Sequence, residues 1–221
     1  EDYRAKGFFK EALVNFVALL GWNAGDDREF YYLNELAEKF ELERVNKAGA
    51  VFDIEKLNWL NAEHLRAKDP ADLIEPLKAE LNSAGIDFSG RSDEYLKSVI
   101  IAMRERVSFV KEYIEKSPYF FLPVAQYDET SKLKNWKPET GPQMLRLKEE
   151  FAKLGENPSK EEYEVALKLV ATELNIGAGK LIHPLRLAVS GMPAGPGVYD
   201  ILVILGKEET INRIEKAVSI L

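Results

Sequence analysis

The stretch His183–Lys207, HPLRLAVSGMPAGPGVYDILVILGK, predicts two helices joined by a short loop rich in glycine and proline. The loop Gly191–Gly197 separates a helix that carries Arg186 from a strongly apolar helix at Val198–Leu205. Glycine lets a backbone approach a ligand closely, and proline stiffens the loop. From the residues alone, this region is either a site for a planar ligand or a tight turn between packed helices.

The rest of the chain predicts an all-α fold, because its apolar residues recur at helical spacing and no segment alternates as a strand would. Helix starts are expected at Asp53, at Asp69 followed by Pro70, at Ser92, and at Ser159, which forms a capping box. The expected helices are 8–20, 33–40, 54–65, 70–84, 92–103, 141–154, 160–174, 180–190, 196–205 and 208–221, and Val107–Glu115 either extends the fifth or forms a separate one. The segment Ser117–Pro142, with the polar run Asp128–Lys134, is expected to be a loop or a domain junction.

Composition excludes several classes of function. The chain has no cysteine, and its two histidines, His64 and His183, are far apart, so neither a disulfide framework nor a metal site is expected. No phosphate-binding glycine motif and no nucleophile beside a base can be recognised, so no catalytic residue is expected. No apolar run approaches the roughly 18 residues of a membrane span. Residue 1 is Glu rather than Met, which suggests a piece of a longer protein. Together with the missing cysteine, membrane span and signal-peptide pattern, this favours a cytoplasmic protein.

The net charge of −7 argues against indiscriminate binding to nucleic acid, because proteins that rely on phosphate contacts are usually basic. Reading splayed single-stranded bases requires only a local cationic strip and a few specific groups. The charge therefore makes an RNA partner less expected without excluding it.

Four motifs follow one another along the chain: GFFKEALVNFVALLGWN at Gly7–Asn23, FELERVNKAGAVFDIEKLNWLNAEHLR at Phe40–Arg66, MRERVSFVKEY at Met103–Tyr113, and RLAVSGMPAGPGVYDILVILGK at Arg186–Lys207. In this order they resemble bacterial glutamyl-tRNA synthetases, from the end of the stem-contact domain through the anticodon-binding domain. Three positions depart from the family pattern: Lys10 stands where proline is common, Val189 where leucine is usual, and Gly195 where some members have threonine.

The resemblance implies a helical stem-contact segment at residues 1–68, followed by two helical anticodon-binding subdomains, 69–118 and 119–221, that form a helix bundle or α-helix cage. It implies that Arg106, or its neighbour Arg104, reads the third anticodon base. It also implies that Arg186 lies near the first base.

The same resemblance places Gly195, Pro196 and Val198 at the loop positions that meet the first two bases. With glycine at 195, only the backbone could contribute there.

Several residues of the stem-contact segment have two interpretations. Lys47, Lys56 and Arg66 could contact tRNA phosphates or could be solvated surface cations. Trp59 and Asn61 belong either to a platform near the tRNA stem or to local packing, with Asn61 as a bracket.

The implied function is binding of tRNA(Glu) and recognition of its anticodon, within a glutamate–tRNA ligase that uses ATP and acts as a monomer. The two signatures with which such enzymes bind ATP do not occur here, so this chain alone is expected to be inactive. ATP and Mg²⁺ would belong to the missing catalytic domain, and this region itself would hold no cofactor. The alternatives are a non-discriminating synthetase that also accepts tRNA(Gln), which Arg106 argues against, and a helical protein-interaction module without an RNA role.

Overall fold

The computed structural model describes residues 3–46 and 51–221, and the extended elements in these ranges are limited to one isolated bridge between Trp22 and Val45. The all-α expectation is therefore confirmed. None of the helices in these ranges combines the length and apolar character needed to cross a membrane. The α-helices of the described ranges are α1 (Lys10–Gly21), α2 (Leu33–Lys39), α3 (Ile54–Ala67), α4 (Ile74–Ser83), α5 (Asp93–Met103), α6 (Glu112–Glu115), α7 (Glu129–Asn135), α8 (Thr140–Ala152), α9 (Lys160–Glu173), α10 (Gly179–Ser190), α11 (Val198–Leu205) and α12 (Lys207–Ile220).

Three helices begin where their capping residues predict. The carboxylate of Asp53 accepts hydrogen bonds from two backbone N–H groups in the first turn of α3, at 2.9 and 3.1 Å. Ser92 caps α5 in the same way, and Ser159 and Glu162 form the expected capping box at the start of α9. These side chains satisfy N–H groups that the helix itself leaves without acceptors, which fixes where each helix starts.

The helix predicted from Pro70 to Ala84 begins differently. Residues Pro70–Leu73 form a 3₁₀ turn, and α4 starts only at Ile74. Pro76 has no N–H with which to bond the carbonyl of Asp72, so the α-helical ladder cannot run through this point. The first turn tightens instead, while Asp69 still caps it by accepting a hydrogen bond from Ala71 N at 2.8 Å.

The expectation of a loop at Asp128–Lys134 is wrong, because most of this segment is α7. Asp128 Oδ1 caps the helix by accepting a hydrogen bond from Ser131 N at 2.7 Å. A seven-residue helix is too short to persist by itself in water. Packing against α10, which the sequence pattern does not reveal, therefore stabilises α7.

The chain leaves the helical path after α5. Arg104–Arg106 form a 3₁₀ turn, and of the segment Val107–Glu115 only Glu112–Glu115 is α-helical, as α6. Ser108 N donates a hydrogen bond to Glu112 Oε2 at 2.6 Å, which satisfies that N–H outside a helical ladder. The turn holds Arg106 at a corner of the chain instead of on the side of a long helix.

The buried side chains of the largest apolar cluster come from residues 65–214, so the helices on both sides of residue 118 share one core. Helix α5 packs against α11, which joins the two parts directly. Two smaller clusters lie among the first 60 residues, with Phe109 against one of them. Fully buried members of the large cluster include Leu77, Val99, Leu147, Leu185 and Ile201.

The junction between α10 and α11 is anchored at Gly191, which ends α10 in the left-handed conformation with φ of +71°. Its carbonyl accepts a hydrogen bond from Asp128 N at 2.9 Å. A Cβ added at Gly191 would overlap the carbonyl oxygen of Gln126 and lie 2.8 Å from Val124 Cγ1. Close packing within the protein therefore explains this glycine without a ligand.

Candidate nucleic-acid interface

Arg186 lies one turn before the end of α10 and is half-buried. Its Nη1 atom is buried and has no hydrogen-bond partner in the part of the chain that the structure describes. Burial lowers the pKa of Arg186 from its ordinary value, but a guanidinium group keeps its charge at neutral pH. A buried donor without an acceptor is unfavourable, and this marks Arg186 as a candidate for contact with a ligand.

The hydroxyl group of Tyr119 is a second buried polar group of this site, and sequence reasoning missed it. Tyr119 Oη has no hydrogen-bond partner among the described residues. Burial raises the pKa of Tyr119 to about 12, against the opposing effect of the positive charges of Arg186 and Arg106. The hydroxyl therefore stays protonated at neutral pH and can donate. In the sequence nothing distinguishes Tyr119 from the two phenylalanines that follow it.

Gly195 brings the loop against both of these groups. A Cβ added at Gly195 would lie 2.8 Å from Tyr119 Oη and 3.4 Å from Arg186 Nη1. The first distance is too short for any real side chain, so position 195 has no room for one while Tyr119 keeps its place. The expectation that only the backbone is available at Gly195 agrees with this geometry.

Arg106 faces the same region from the 3₁₀ turn after α5. Burial is the main cause of the pKa shifts of Arg186 and Tyr119, and the positive charge of Arg106 adds to the lowering at Arg186 and opposes the rise at Tyr119. The three groups therefore lie within electrostatic range of one another. The Arg106 side chain is exposed, and its Nη1 atom donates one long hydrogen bond, of 3.5 Å, to Ala102 O. It is therefore available to a ligand at little cost.

Arg104, the alternative reader of the third base, has a different environment. Its Nη2 atom donates a hydrogen bond to Lys68 O at 3.0 Å, and its Nε atom is buried. Arg104 thus ties the turn to the end of the segment 1–68. Of the two neighbouring arginines, the structure leaves Arg106 the more accessible.

Pro196 and Val198 lie in the expected loop, but both side chains are buried, and only 4% of Val198 is exposed. Val198 packs into the large apolar cluster as the first residue of α11. The exposed rim of the loop consists instead of Pro193, Ala194 and Gly197. Any contact of Pro196 or Val198 with a ligand would therefore involve backbone atoms.

The proposed stem contacts are less accessible. Lys56 Nζ lies 2.6 Å from Glu29 Oε1, and Arg66 forms an ion pair with Glu63. A phosphate would have to displace a carboxylate from either cation. Lys47 lies outside the described residues.

Asn61 and Trp59 differ in their environments. Asn61 is buried and bridges two segments: its Oδ1 accepts from Phe9 N at 2.8 Å and its Nδ2 donates to Ser108 O at 2.6 Å. The interpretation of Asn61 as a bracket is confirmed. Trp59 is 41% exposed, so it is not a fully packed aromatic residue.

Free donors and positive charge thus gather beside a stiff loop between helices. Ser190, the hydroxyl nearest to the site in sequence, donates to Arg186 O at 2.7 Å and has a structural role at the end of α10. Such donors complement the acceptors on the edge of an exposed base. Residues 69–218 match the family described as the anticodon binding domain, and the chain belongs to that family. Residues 1–59 match the catalytic domain of class I tRNA synthetases (E and Q), within the range that the sequence analysis assigned to the stem-contact domain.

Individual relatives agree with this membership. The chain is 43% identical over 227 residues to a glutamate–tRNA ligase of Chloroherpeton thalassium, a match that covers 99% of this chain and 45% of that protein. It is 42% identical over 219 residues to the corresponding ligase of Flavobacterium johnsoniae, covering 99% of this chain and 43% of the relative. The crystal structure of a glutamate tRNA ligase from Elizabethkingia meningosepticum in complex with its amino acid superposes with a TM-score of 0.92 at 35% identity, covering 99% of this chain and 43% of that one. The chain therefore spans somewhat less than half the length of these relatives.

Proposed function

We propose that this chain is the tRNA-binding region of a glutamate–tRNA ligase, the enzyme that charges tRNA with glutamate using ATP. The observation that carries the proposal is the convergence of Arg186 and Tyr119 at the Gly195 backbone, with the charge of Arg106 acting on both groups, within the range that matches the anticodon-binding family. The site offers donors, which suit the acceptor-rich edges of exposed bases. The carboxylate beside Gly197, that of Asp200, is paired with Lys160.

In the proposed complex, Arg186 and the backbone at Gly195, Pro196 and Val198 meet the first two anticodon bases, and Arg106 reads the third. A guanidinium fork can form two parallel hydrogen bonds to one base edge, which a lysine could not. The accessibility of Arg106 supports this role more than that of Arg104, which is bonded to Lys68 O. An arginine at this position also favours a synthetase that accepts tRNA(Glu) and rejects tRNA(Gln).

The remaining parts of the proposal follow from this assignment. Residues 1–68 would contact the tRNA stem, and 69–118 and 119–221 would be the two anticodon-binding subdomains. ATP and Mg²⁺ would be bound by the other half of the enzyme, which would act as a monomer in the cytoplasm, where translation takes place. Family membership speaks against a protein-interaction module without an RNA role.

Anticodon-dependent RNA binding tests the proposal. Fluorescence anisotropy with tRNA transcripts that carry glutamate or glutamine anticodons, measured over a salt series, should show tighter binding to the former. Arg106→Ala should relax discrimination at the third base by about 1–3 kcal/mol, the usual worth of one bidentate base contact. Arg186→Ala should weaken binding to both transcripts.

Arg44→Ala is the matched control, because Arg44 is exposed and paired with Glu41 at 2.7 Å, far from the site in sequence. It removes the same charge and should leave discrimination intact. Equal binding of the two anticodons by the wild-type chain at low salt would overturn the proposed function. Full discrimination by Arg106→Ala would remove Arg106 from its role.

A further inference from the structure

A second polar cleft lies beside the first half of α10, away from the Gly191–Gly197 loop. Its volume is about 490 Å³, and α7, the start of α8 and the start of α10 form its walls. No residue of the anticodon site described above lines it. The side chains that give the cleft its character are Lys134, Asn135, Lys137, Gln143, Lys180 and His183.

The cleft is positively charged in an acidic protein. Three lysines line it against a single acidic residue, Glu139. None of the 37 acidic residues of the chain falls between positions 174 and 199, and none falls between 130 and 138. Both segments that flank the cleft therefore lack aspartate and glutamate.

The polar groups of the cleft lack partners in the described ranges. The exposed ammonium groups of Lys134 and Lys180 form no ion pair there, whereas the lysines on or just after α8 and α9 that are compared with them, Lys148, Lys153 and Lys168, each pair with a glutamate. The side chains of Asn135, Gln143 and His183 likewise have no hydrogen-bond partner in these ranges. Two groups are exceptions: Lys137 Nζ donates to Leu133 O, and Thr140 Oγ1 accepts from Lys137 N at 2.9 Å. Donors are thus left free on opposite walls of one cavity.

Helix α10 connects this cleft to the anticodon site. Lys180, His183 and Arg186 are spaced three residues apart, so they follow one ridge of the helix. The rise of 1.5 Å per residue puts Lys180 about 9 Å along the axis from Arg186. A strand whose bases reach Arg186 could therefore continue past His183 into the cleft.

We propose that this cleft binds phosphate groups of the RNA backbone next to the nucleotides read at Arg186, with Lys134 and Lys180 as the principal cations. The inference rests on the proposed function, because it takes the bound polyanion to be the same RNA. Lysine ammonium groups bind phosphate as point charges without reading sequence. The cleft would supply affinity and position the strand, while base discrimination would stay with Arg106 and Arg186.

The test is the double variant Lys134→Gln/Lys180→Gln, with tRNA transcripts of both anticodons as probes. Both side chains are exposed, so the variant should keep its thermal midpoint. Affinity at 50 mM KCl should fall roughly tenfold for both transcripts, and the slope of log K against log salt should become shallower by about 1.4, the effect of losing two single-strand phosphate contacts. The ratio of affinities for the two anticodons should not change.

The control is Lys153→Gln/Lys168→Gln, which makes the same change of net charge at two exposed, ion-paired lysines, one just after α8 and one on α9. The inference would be overturned if the cleft variant lost no more affinity and no more salt dependence than the control variant. It would also be overturned if the loss were confined to the transcript with one anticodon. If the wild-type chain binds inorganic pyrophosphate in the cleft while the RNA slope is insensitive to the variant, the ligand is a free phosphate and the inference is also overturned. If the wild-type chain shows no anticodon preference but the cleft variant still loses affinity and slope, the proposed function fails and the phosphate site stands.

Discussion

The guanidinium group of Arg186 and the hydroxyl group of Tyr119 each have a buried polar atom without a partner in the described ranges, as do six other side chains, and these two are distinguished by their position beside Gly195. Buried polar groups are normally paired, and the exceptions in folded proteins call for an explanation. Recognition of an exposed base would provide one, because a base edge offers acceptors. The unpaired groups would then lower the stability of the free protein, and they would gain their partners in the complex.

Replacement of Tyr119 by phenylalanine tests whether its hydroxyl contributes to folding. We expect the free energy of unfolding to be unchanged or to rise by about 1 kcal/mol, because an unpaired buried hydroxyl is unfavourable. Urea unfolding followed by circular dichroism measures it. Tyr95→Phe is the control: Tyr95 Oη donates to Phe120 O at 2.7 Å, and its loss should cost about 1–3 kcal/mol. Equal destabilisation by the two changes would show that Tyr119 has a partner after all.

The sequence singles out Arg186, the loop, and Arg104 and Arg106 as candidates, and their roles in binding stay predictions. It could not separate these two, because the distinction depends on a hydrogen bond from Arg104 to Lys68 O, 36 positions away. Tyr119 was missed for a similar reason, since only its approach to Gly195 sets it apart. Contacts between distant positions leave no local pattern from which to infer them.

Helix boundaries were predicted well where the signal is local. Ser159 and Asp53 cap their helices through bonds within three residues, and such bonds can be inferred from spacing. Helix α7 could not be predicted in this way, because its stability comes from packing on α10. The 3₁₀ turn at Pro70–Leu73 could have been predicted from the sequence, since Pro76 lacks the N–H group that an α-helix starting at Pro70 would need for a backbone hydrogen bond.

The end of α10 is the element most sensitive to a single methyl group. Gly191→Ala should lower the free energy of unfolding by about 2–4 kcal/mol, because it adds left-handed strain and a clash with the carbonyl of Gln126. Gly155→Ala is the control, since nothing lies within 4 Å of a Cβ there and φ is not positive. Chemical denaturation of both variants gives the comparison. A loss below 1 kcal/mol for Gly191→Ala would mean that the 124–128 segment can move away freely.

Across the whole molecule, the shared core predicts that residues 69–118 and 119–221 unfold together. Leu77 and Leu185 lie on either side of the proposed division, and both are fully buried in the same cluster. Leu77→Ala and Leu185→Ala should each cost about 2–5 kcal/mol and shift one common transition. Hydrogen exchange of the backbone amides in α4 and in α10, measured separately at increasing urea concentration, shows whether the two helices unfold in the same transition. Independent transitions for the two parts would contradict a single cooperative unit.

The contact between Gly195 and Tyr119 also has a historical meaning. A Cβ gained at position 195 would lie 2.8 Å from the hydroxyl oxygen of Tyr119, so the tyrosine ring would have to shift or give way to a smaller residue. The two positions are therefore expected to change together in descendants of this protein, because a smaller residue at 119 makes room for a side chain at 195.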